Sequence, residues 1–152
     1  MLNFREAKLN DLPQLLELEQ CVIETERPYN NSIKAESANY YNLGNLISSN
    51  DSYLLVVEVE NEIVGTGYAQ IRDSKASLEH KQHSYLGFIY VAPNLRRQGI
   101  SSKIIEELIA WSKSKGIYDF YLDVYVQNSS AVKAYEKVGF KPSLLTMKLN
   151  IK

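Results

Sequence analysis

One stretch restricts this chain more than any other: Val91-Ala92-Pro93-Asn94-Leu95-Arg96-Arg97-Gln98-Gly99-Ile100-Ser101-Ser102. Ahead of it, Tyr85 to Val91 reads as an apolar strand, which Ala92-Pro93 ends because proline offers no ladder donor. Behind it, Ile100, Ile104, Ile105, Leu108 and Ile109 recur at helical spacing as far as about Lys115, and Gly116 stands where a helix would stop. A strand therefore hands over to an amphipathic helix through a tight, basic, glycine-containing turn, so the fold must hold both element types.

The rest of the order follows from the same periodicities. Leu2 to Glu6 is a short strand, and Asn10 is the expected cap of a helix bearing Leu12, Leu15, Leu16, Val22 and Ile23, with Pro13 in its first turn. Arg27-Pro28-Tyr29-Asn30-Asn31 breaks it, and Ile33 to about Ile47 reads as a second, more polar helix. Tyr53 to Val59 and Ile63 to Ile71 form a hairpin across Glu60-Asn61-Glu62, and Asp73 to His83 is a polar loop. Beyond Gly116, Tyr118 to Val126 is a strand with Phe120, Leu122, Val124 and Val126 on one face. Asn128-Ser129 caps a helix carrying Ala131, Val132, Tyr135 and Val138, Gly139 ends it, and Leu144 to Ile151 alternates as a terminal strand. The order is β, two helices, three strands, helix, strand, helix, strand.

The 152 residues suit one domain, spanning 1–152, and 45% hydrophobic against 23% charged residues is the composition of a chain with a real core. Seventeen Lys and Arg against 18 Asp and Glu give a net charge of -1, which argues against a nucleic-acid partner and makes any anion site a local one. Cys21 is the only cysteine, so internal disulfides and a cysteine zinc knuckle are excluded, and it reads as a small core residue. No apolar run approaches membrane-spanning length and the first residues do not resemble a signal peptide; the expectation is a cytoplasmic protein with no membrane partner.

The turn at residues 96–102 has the chemistry of an anion cradle. The first N–H groups of a helix lack intrahelical partners, the dipole is positive there, and a glycine lets a phosphate approach the main chain. Arg96 and Arg97 add charge, although a glycine turn with two solvated arginines would read the same way. Here the chain resembles the GNAT superfamily of acyl-CoA-dependent N-acetyltransferases. The pyrophosphate loop of that family runs Gln or Arg, two residues of any kind, Gly, any residue, then Gly or Ala. This sequence has Arg96-Arg97-Gln98-Gly99-Ile100-Ser101, departing only at Ser101. A second family pattern follows in Leu122-x-Val124-x-x-x-Asn128-x-x-Ala131-x-x-x-Tyr135-x-x-x-Gly139-Phe140.

The resemblance implies an α/β (α+β) fold, with a central, mixed, mostly antiparallel twisted sheet of about six to seven strands flanked by four helices. It implies acetyl-CoA as co-substrate, no metal, and transfer of the acetyl group to a primary amine of a small molecule or peptide by a monomer or homodimer. Main-chain groups of Ile89, Tyr90 and Val91 would pair with the pantetheine arm. Arg96, Arg97, Gln98, Gly99, Ile100, Ser101 and Ser102 would surround the pyrophosphate. Asn128 would bond the cofactor arm, and Tyr135 would face the thioester sulfur as the acid that assists thiolate departure. Outside the pattern, Tyr135 is equally an ordinary half-buried core tyrosine.

The general base is the open position, because the glutamate common in the strand before the loop is replaced by Tyr85. Glu79 and His83 lie in a polar loop that reads as solvated surface, and Asp123 and Tyr125 are further candidates. Deprotonating a lysine near 10.4 costs roughly 4 kcal/mol at about pH 7.5, whereas an α-amine near 8 costs under about 1 kcal/mol, so a missing base favours a less basic acceptor. Glu24, Glu26 and Tyr29, between the first two helices, are candidates for drawing in a cationic amine, against the plainer reading of a solvated helix end; Tyr40 and Tyr41 are candidates for the same wall or for core packing. His80 and His83 lack a third metal ligand. A catalytically silent acyl-CoA-binding module is the alternative, and unrelated nucleotide binding is disfavoured because no Walker lysine or complete Gly-x-Gly-x-x-Gly occurs.

Overall fold

Leu54, Leu55, Val56 and Val57 are all buried, which happens only to a strand covered on both faces. A computed structural model describes residues 1–152 and shows how that covering is achieved. Those residues belong to β2 (Ser52–Val59), which lies between β1 (Asn3–Glu6) and β3 (Glu62–Asp73); β4 (Gln82–Val91) and β5 (Phe120–Tyr121) complete one sheet in the order β1-β2-β3-β4-β5. Neighbours are antiparallel except for β4 and β5, which are parallel. Leu54 and Val56 face a cluster with Leu15 and Val22 of α1 (Leu12–Glu26) and Leu43 and Leu46 of α2 (Leu43–Ser48). Leu55 and Val57 face the opposite cluster, built on Ile100, Ile104, Ile105 and Leu108 of α3 (Ile100–Ser114). Gly67 lets α3 come this close: a Cβ there would lie 2.5 Å from Ile104 Cγ2.

The last helix, α4 (Ser129–Val138), begins at Asn128, whose side-chain oxygen accepts the Ala131 N–H at 3.2 Å. No helix is long and apolar enough to cross a membrane.

Five differences from the sequence expectations have physical causes. The second helix shrinks from Ile33–Ile47 to α2, because side chains of α1 and of Arg27 just after it take the main-chain groups a longer helix would need. Glu19 Oε2 accepts the N–H groups of Tyr40 and Tyr41, both at 2.8 Å, Gln20 donates to Ala38 O, and Arg27 donates to Lys34 O. The first helix starts not at an Asn10 cap but after a 3-10 turn, Leu9–Asp11, in which Asp11 accepts the Lys8 N–H at 2.7 Å. Its inward stripe is Leu15, Glu19, Val22 and Ile23, which leaves Cys21 and Leu16 exposed instead of in the core. The polar loop narrows to 74–81 because the β3–β4 ladder continues to the pair Asp73 and Gln82.

Finally, the sheet has five strands instead of six or seven. The expected strand Tyr118–Val126 pairs with β4 only at Phe120 and Tyr121, and the alternating run Leu144–Ile151 makes no main-chain hydrogen bond to another segment and forms no strand.

Candidate active site

The cradle is built from backbone. Arg97 and Gly99 both have left-handed φ, 66° and 80°, a conformation natural to glycine and uncommon for arginine. Nothing lies within 4 Å of a Cβ added at Gly99, so the conformation, not crowding, accounts for glycine. This double turn swings the chain into α3, whose first internal bond is Lys103 N–H to Gly99 O at 3.1 Å. The N–H groups of Ile100, Ser101 and Ser102 are left without main-chain acceptors at the positive end of a helix of 15 residues. Ile100 is buried and anchors the turn, while Arg97, Gln98 and Gly99 are exposed. The two arginines part company: Arg96 Nε donates to Val91 O at 2.8 Å and its guanidinium lies 5.4 Å from the Tyr90 ring, so Arg96 ties the loop to the end of β4 and Arg97 is the cation left facing solvent.

Alongside the loop, β4 has an unpaired edge. Its bonding to β5 stops at Tyr85, so Gly87 to Val91 face a gap where the two parallel strands diverge. The divergence accompanies a bulge: the β3–β4 register shifts between Thr66 and Tyr68, Phe88 takes a φ of 51°, and the buried Thr66 hydroxyl donates to Phe88 O at 2.7 Å. Ile89, Tyr90 and Val91 follow this bulge. No residue pattern announced it, since Phe is not a residue that favours positive φ.

Tyr135 lies on α4, packed against the α3-side cluster with its ring 6.3 Å from Phe140. Its hydroxyl pKa is pushed up to about 12, first by burial and then by the charge of Glu26. Glu26, at the end of α1, is itself raised by burial, and its charge also raises Tyr40 and Tyr41, so one carboxyl acts on tyrosines from both sides of the gap. The Tyr40 hydroxyl is buried with no partner at hydrogen-bond distance, although Glu26 and Tyr125 are near enough to shift its pKa.

Tyr85 projects to the α1 side and donates to Asp123 Oδ2 at 3.0 Å, while the Arg72 guanidinium sits 4.0 Å above its ring. Burial and the Asp123 charge hold the Tyr85 hydroxyl well above the usual tyrosine range. Thus a carboxylate does stand beside the position that sequence left without one. Tyr29 stacks on Tyr125 at 6.0 Å, and Asn30 donates to the Tyr125 hydroxyl at 2.7 Å. Glu24 is not part of this wall; it pairs with Arg27 at 2.8 Å and is largely exposed. A cavity of about 410 Å³ opens in the connection before α2, lined in part by Asn30, Ile33, Lys34 and Tyr40.

Asn128 spends its carbonyl oxygen on the α4 cap, which leaves its amide N–H groups for a ligand. His80 and His83 both meet Ser74 Oγ through Nδ1, at 2.8 and 2.9 Å, and His80 Nε2 lies 2.9 Å from the Tyr121 hydroxyl, a clasp between the β3–β4 hairpin and β5. No three His, Cys, Asp or Glu side chains are grouped to hold a metal ion. Glu19 escaped the sequence reading, though a carboxylate four residues from Leu15 and from Ile23, on the apolar stripe itself, was the available signal.

The chain matches the acetyltransferase (GNAT) family over residues 15–140. It is 25% identical to an N-alpha-acetyltransferase of Sulfurisphaera tokodaii over 142 residues, covering 90% of this chain and 78% of the relative. It is 26% identical to an aminoglycoside N(6')-acetyltransferase type 1 of Klebsiella aerogenes, covering 57% of each. Among solved structures, a Bacillus halodurans protein crystallised as a point mutant superposes with a TM-score of 0.87 at 22% identity, covering 99% of both chains. A predicted acetyltransferase of Clostridium acetobutylicum, solved with acetyl-CoA, gives 0.77 at 20% identity over 99% of this chain and 96% of the other. With the family match running from α1 through the cradle to Phe140, this chain belongs to the GNAT acetyltransferase family.

Proposed function

We propose that this chain moves the acetyl group of acetyl-CoA directly to a primary amine of a small molecule or peptide. The observation that carries the proposal is the free donor set of Ile100, Ser101 and Ser102 behind the left-handed Gly99, opening beside the unpaired edge of β4. Those donors and Arg97 suit a pyrophosphate, and the edge at Ile89 to Val91 suits an extended amide-bearing arm that adds to a sheet.

In the transfer the amine nitrogen forms a bond to the carbonyl carbon, the carbon–sulfur bond breaks so that CoA leaves as a thiolate, nitrogen loses a proton to a carboxylate, and the thiolate takes a proton from water after it has left. Tyr135 stays protonated near neutral pH, being pushed up to about 12. A thiol titrates near 8.5, so a phenol this weak stabilises the leaving thiolate by donating a hydrogen bond instead of surrendering its proton. Asp123, which accepts from the Tyr85 hydroxyl, is the proposed acceptor of the amine proton. Glu26 draws the cationic form of the amine toward the tyrosine-lined wall. An acceptor of pKa near 8 is favoured, because its neutral form is abundant without a strong base.

The test is thermal melting of the chain with CoA and a chelator. Stabilisation that grows with ligand above its dissociation constant supports the cradle; no shift at millimolar CoA, or one needing a divalent metal, refutes it.

A further inference from the structure

Tyr85 has an unpaired cation over its face and an unpaired anion at its hydroxyl. The cation comes from β3, where Gln70 stands opposite Tyr85 of β4 and Arg72 stands opposite His83. Tyr68, Gln70 and Arg72 alternate along that strand, and Tyr68 and Tyr85 both pack on the α1-side cluster with Tyr40 and Tyr41. Burial along β3 fades from Gln70 onward, so Arg72 stands where the aromatic wall opens to water.

The Arg72 guanidinium is held in place. Its Nε donates to Gln70 Oε1 at 2.8 Å and its central carbon lies 4.0 Å from the centroid of the Tyr85 ring, which leaves both terminal nitrogens without an acceptor. At the tip of the same ring the Tyr85 hydroxyl donates to Asp123 Oδ2 at 3.0 Å, and Asp123 Oδ1 has no partner. Neither charge enters a salt bridge, with the other or with any third group. Both are also felt at the Tyr68 hydroxyl, which burial raises, Arg72 lowers and Asp123 raises. Across the ladder, burial, His80 and Arg72 all lower the pKa of His83, so His83 is neutral where Arg72 is charged. A fixed guanidinium with two free nitrogens is shaped for a carboxylate, and a carboxylate with a free oxygen is shaped for an ammonium.

We propose that the acceptor is a zwitterion, an amine carrying a carboxylate a few bonds from its nitrogen, with the ammonium taken by Asp123 and the carboxylate by the terminal nitrogens of Arg72. This deepens the acetyl-transfer reading and rests on it. Arg72 then decides which amines are held, without taking part in bond making, and Asp123 receives the proton of the same nitrogen it has bound. Free amino acids and peptides beginning with Asp or Glu both present this pair of charges. The peptides also keep an α-amine near 8.

The experiment uses acceptors matched except for one carboxylate. In the peptide arm, amidated aspartyl-alanine is set against asparaginyl-alanine, and glutamyl-alanine against glutaminyl-alanine. In the amino-acid arm, alanine is set against alaninamide at equal concentrations of neutral amine. Thiol release from acetyl-CoA, and calorimetric binding to the full chain with and without CoA, are read for each at low ionic strength. The parent chain should favour the carboxylate-bearing member of one arm by about tenfold or more in Kd and in kcat/KM, the latter through KM, and that arm identifies the source. Arg72→Gln should bring the ratio close to one, and Arg72→Lys should keep part of it. A merely structural role would weaken both members alike and leave the ratio intact. No binding by any member, a parent ratio near one, or a ratio that survives Arg72→Gln overturns the proposal. Arg72-dependent binding without thiol release would keep the charge clamp and refute the acetyl-transfer reading; release without preference would do the reverse.

Discussion

In the proposed reaction, Tyr135 is the side chain on which the chemical step turns. Tyr135→Phe keeps the ring on Phe140 and removes one hydrogen-bond donor, so turnover should drop about 100-fold while the CoA-induced melting shift persists. Asp123→Asn should also lower turnover, and because its proposed role is toward the amine and not the sulfur, the double variant should show roughly the product of the two losses. Full turnover in Tyr135→Phe would make it a core residue. A second residue-level prediction concerns Asp11, which is 6% exposed and paired with Arg5 at 2.9 Å through both oxygens. The guanidinium holds its carboxyl below the ordinary 3.8, so the pair stabilises the fold above that pH and the contribution disappears as pH falls through the lower folded value. Asp11→Asn should therefore cost about 2 kcal/mol in denaturant melts near neutrality and progressively less below about pH 4. An equal deficit at both pH values would contradict the pairing.

At the scale of elements, the strand-turn-helix of β4, loop and α3 is the proposed functional unit, and Gly99 is its hinge of conformation. A Cβ there meets no atom, so Gly99→Val should fold, yet φ of 80° is costly for a β-branched residue and the turn should relax to another geometry. CoA stabilisation should then be lost by at least tenfold in apparent affinity, measured by calorimetry; unchanged affinity in a folded variant would place the cradle elsewhere. This unit was legible in sequence because its signals are local: proline, glycine and a 3.6-residue period within one window. So were β2, β3 and α3, whose apolar runs are long. The elements that misled are those decided by distant groups. Ile33–Ile47 looked helical until Glu19 claimed the amides of Tyr40 and Tyr41 from 21 and 22 residues away. The same blindness hid the bulge at Phe88, set by Thr66 on another strand, and the meeting of Tyr85 on β4 with Asp123 just past β5. It also hid the parting of Arg96 from Arg97, since only three-dimensional placement shows that one guanidinium is tied to Val91 O.

For the molecule as a whole, one sheet carries two helical layers, and where β4 and β5 diverge the layers are open to each other. The charge of Glu26, on the α1 side, is felt by the Tyr135 hydroxyl, which packs on the α3 side. A cofactor bound through the β4 edge and the α3 amides would thus present its acyl end between an acid-side tyrosine and an acceptor wall of Tyr29, Tyr85, Asp123 and Tyr125. The measurement that bears most directly on this account is thiol release from acetyl-CoA by the purified full chain, with chelator present, against a panel of amines spanning α-amino peptides, aminoglycosides and lysine-like side chains. The account predicts release that depends on one class of amine, matched by a product heavier by one acetyl group and fastest with amines of pKa near 8. Binding of CoA with no amine-dependent release across the panel would contradict it and leave a chain that holds acyl-CoA without transferring the acyl group.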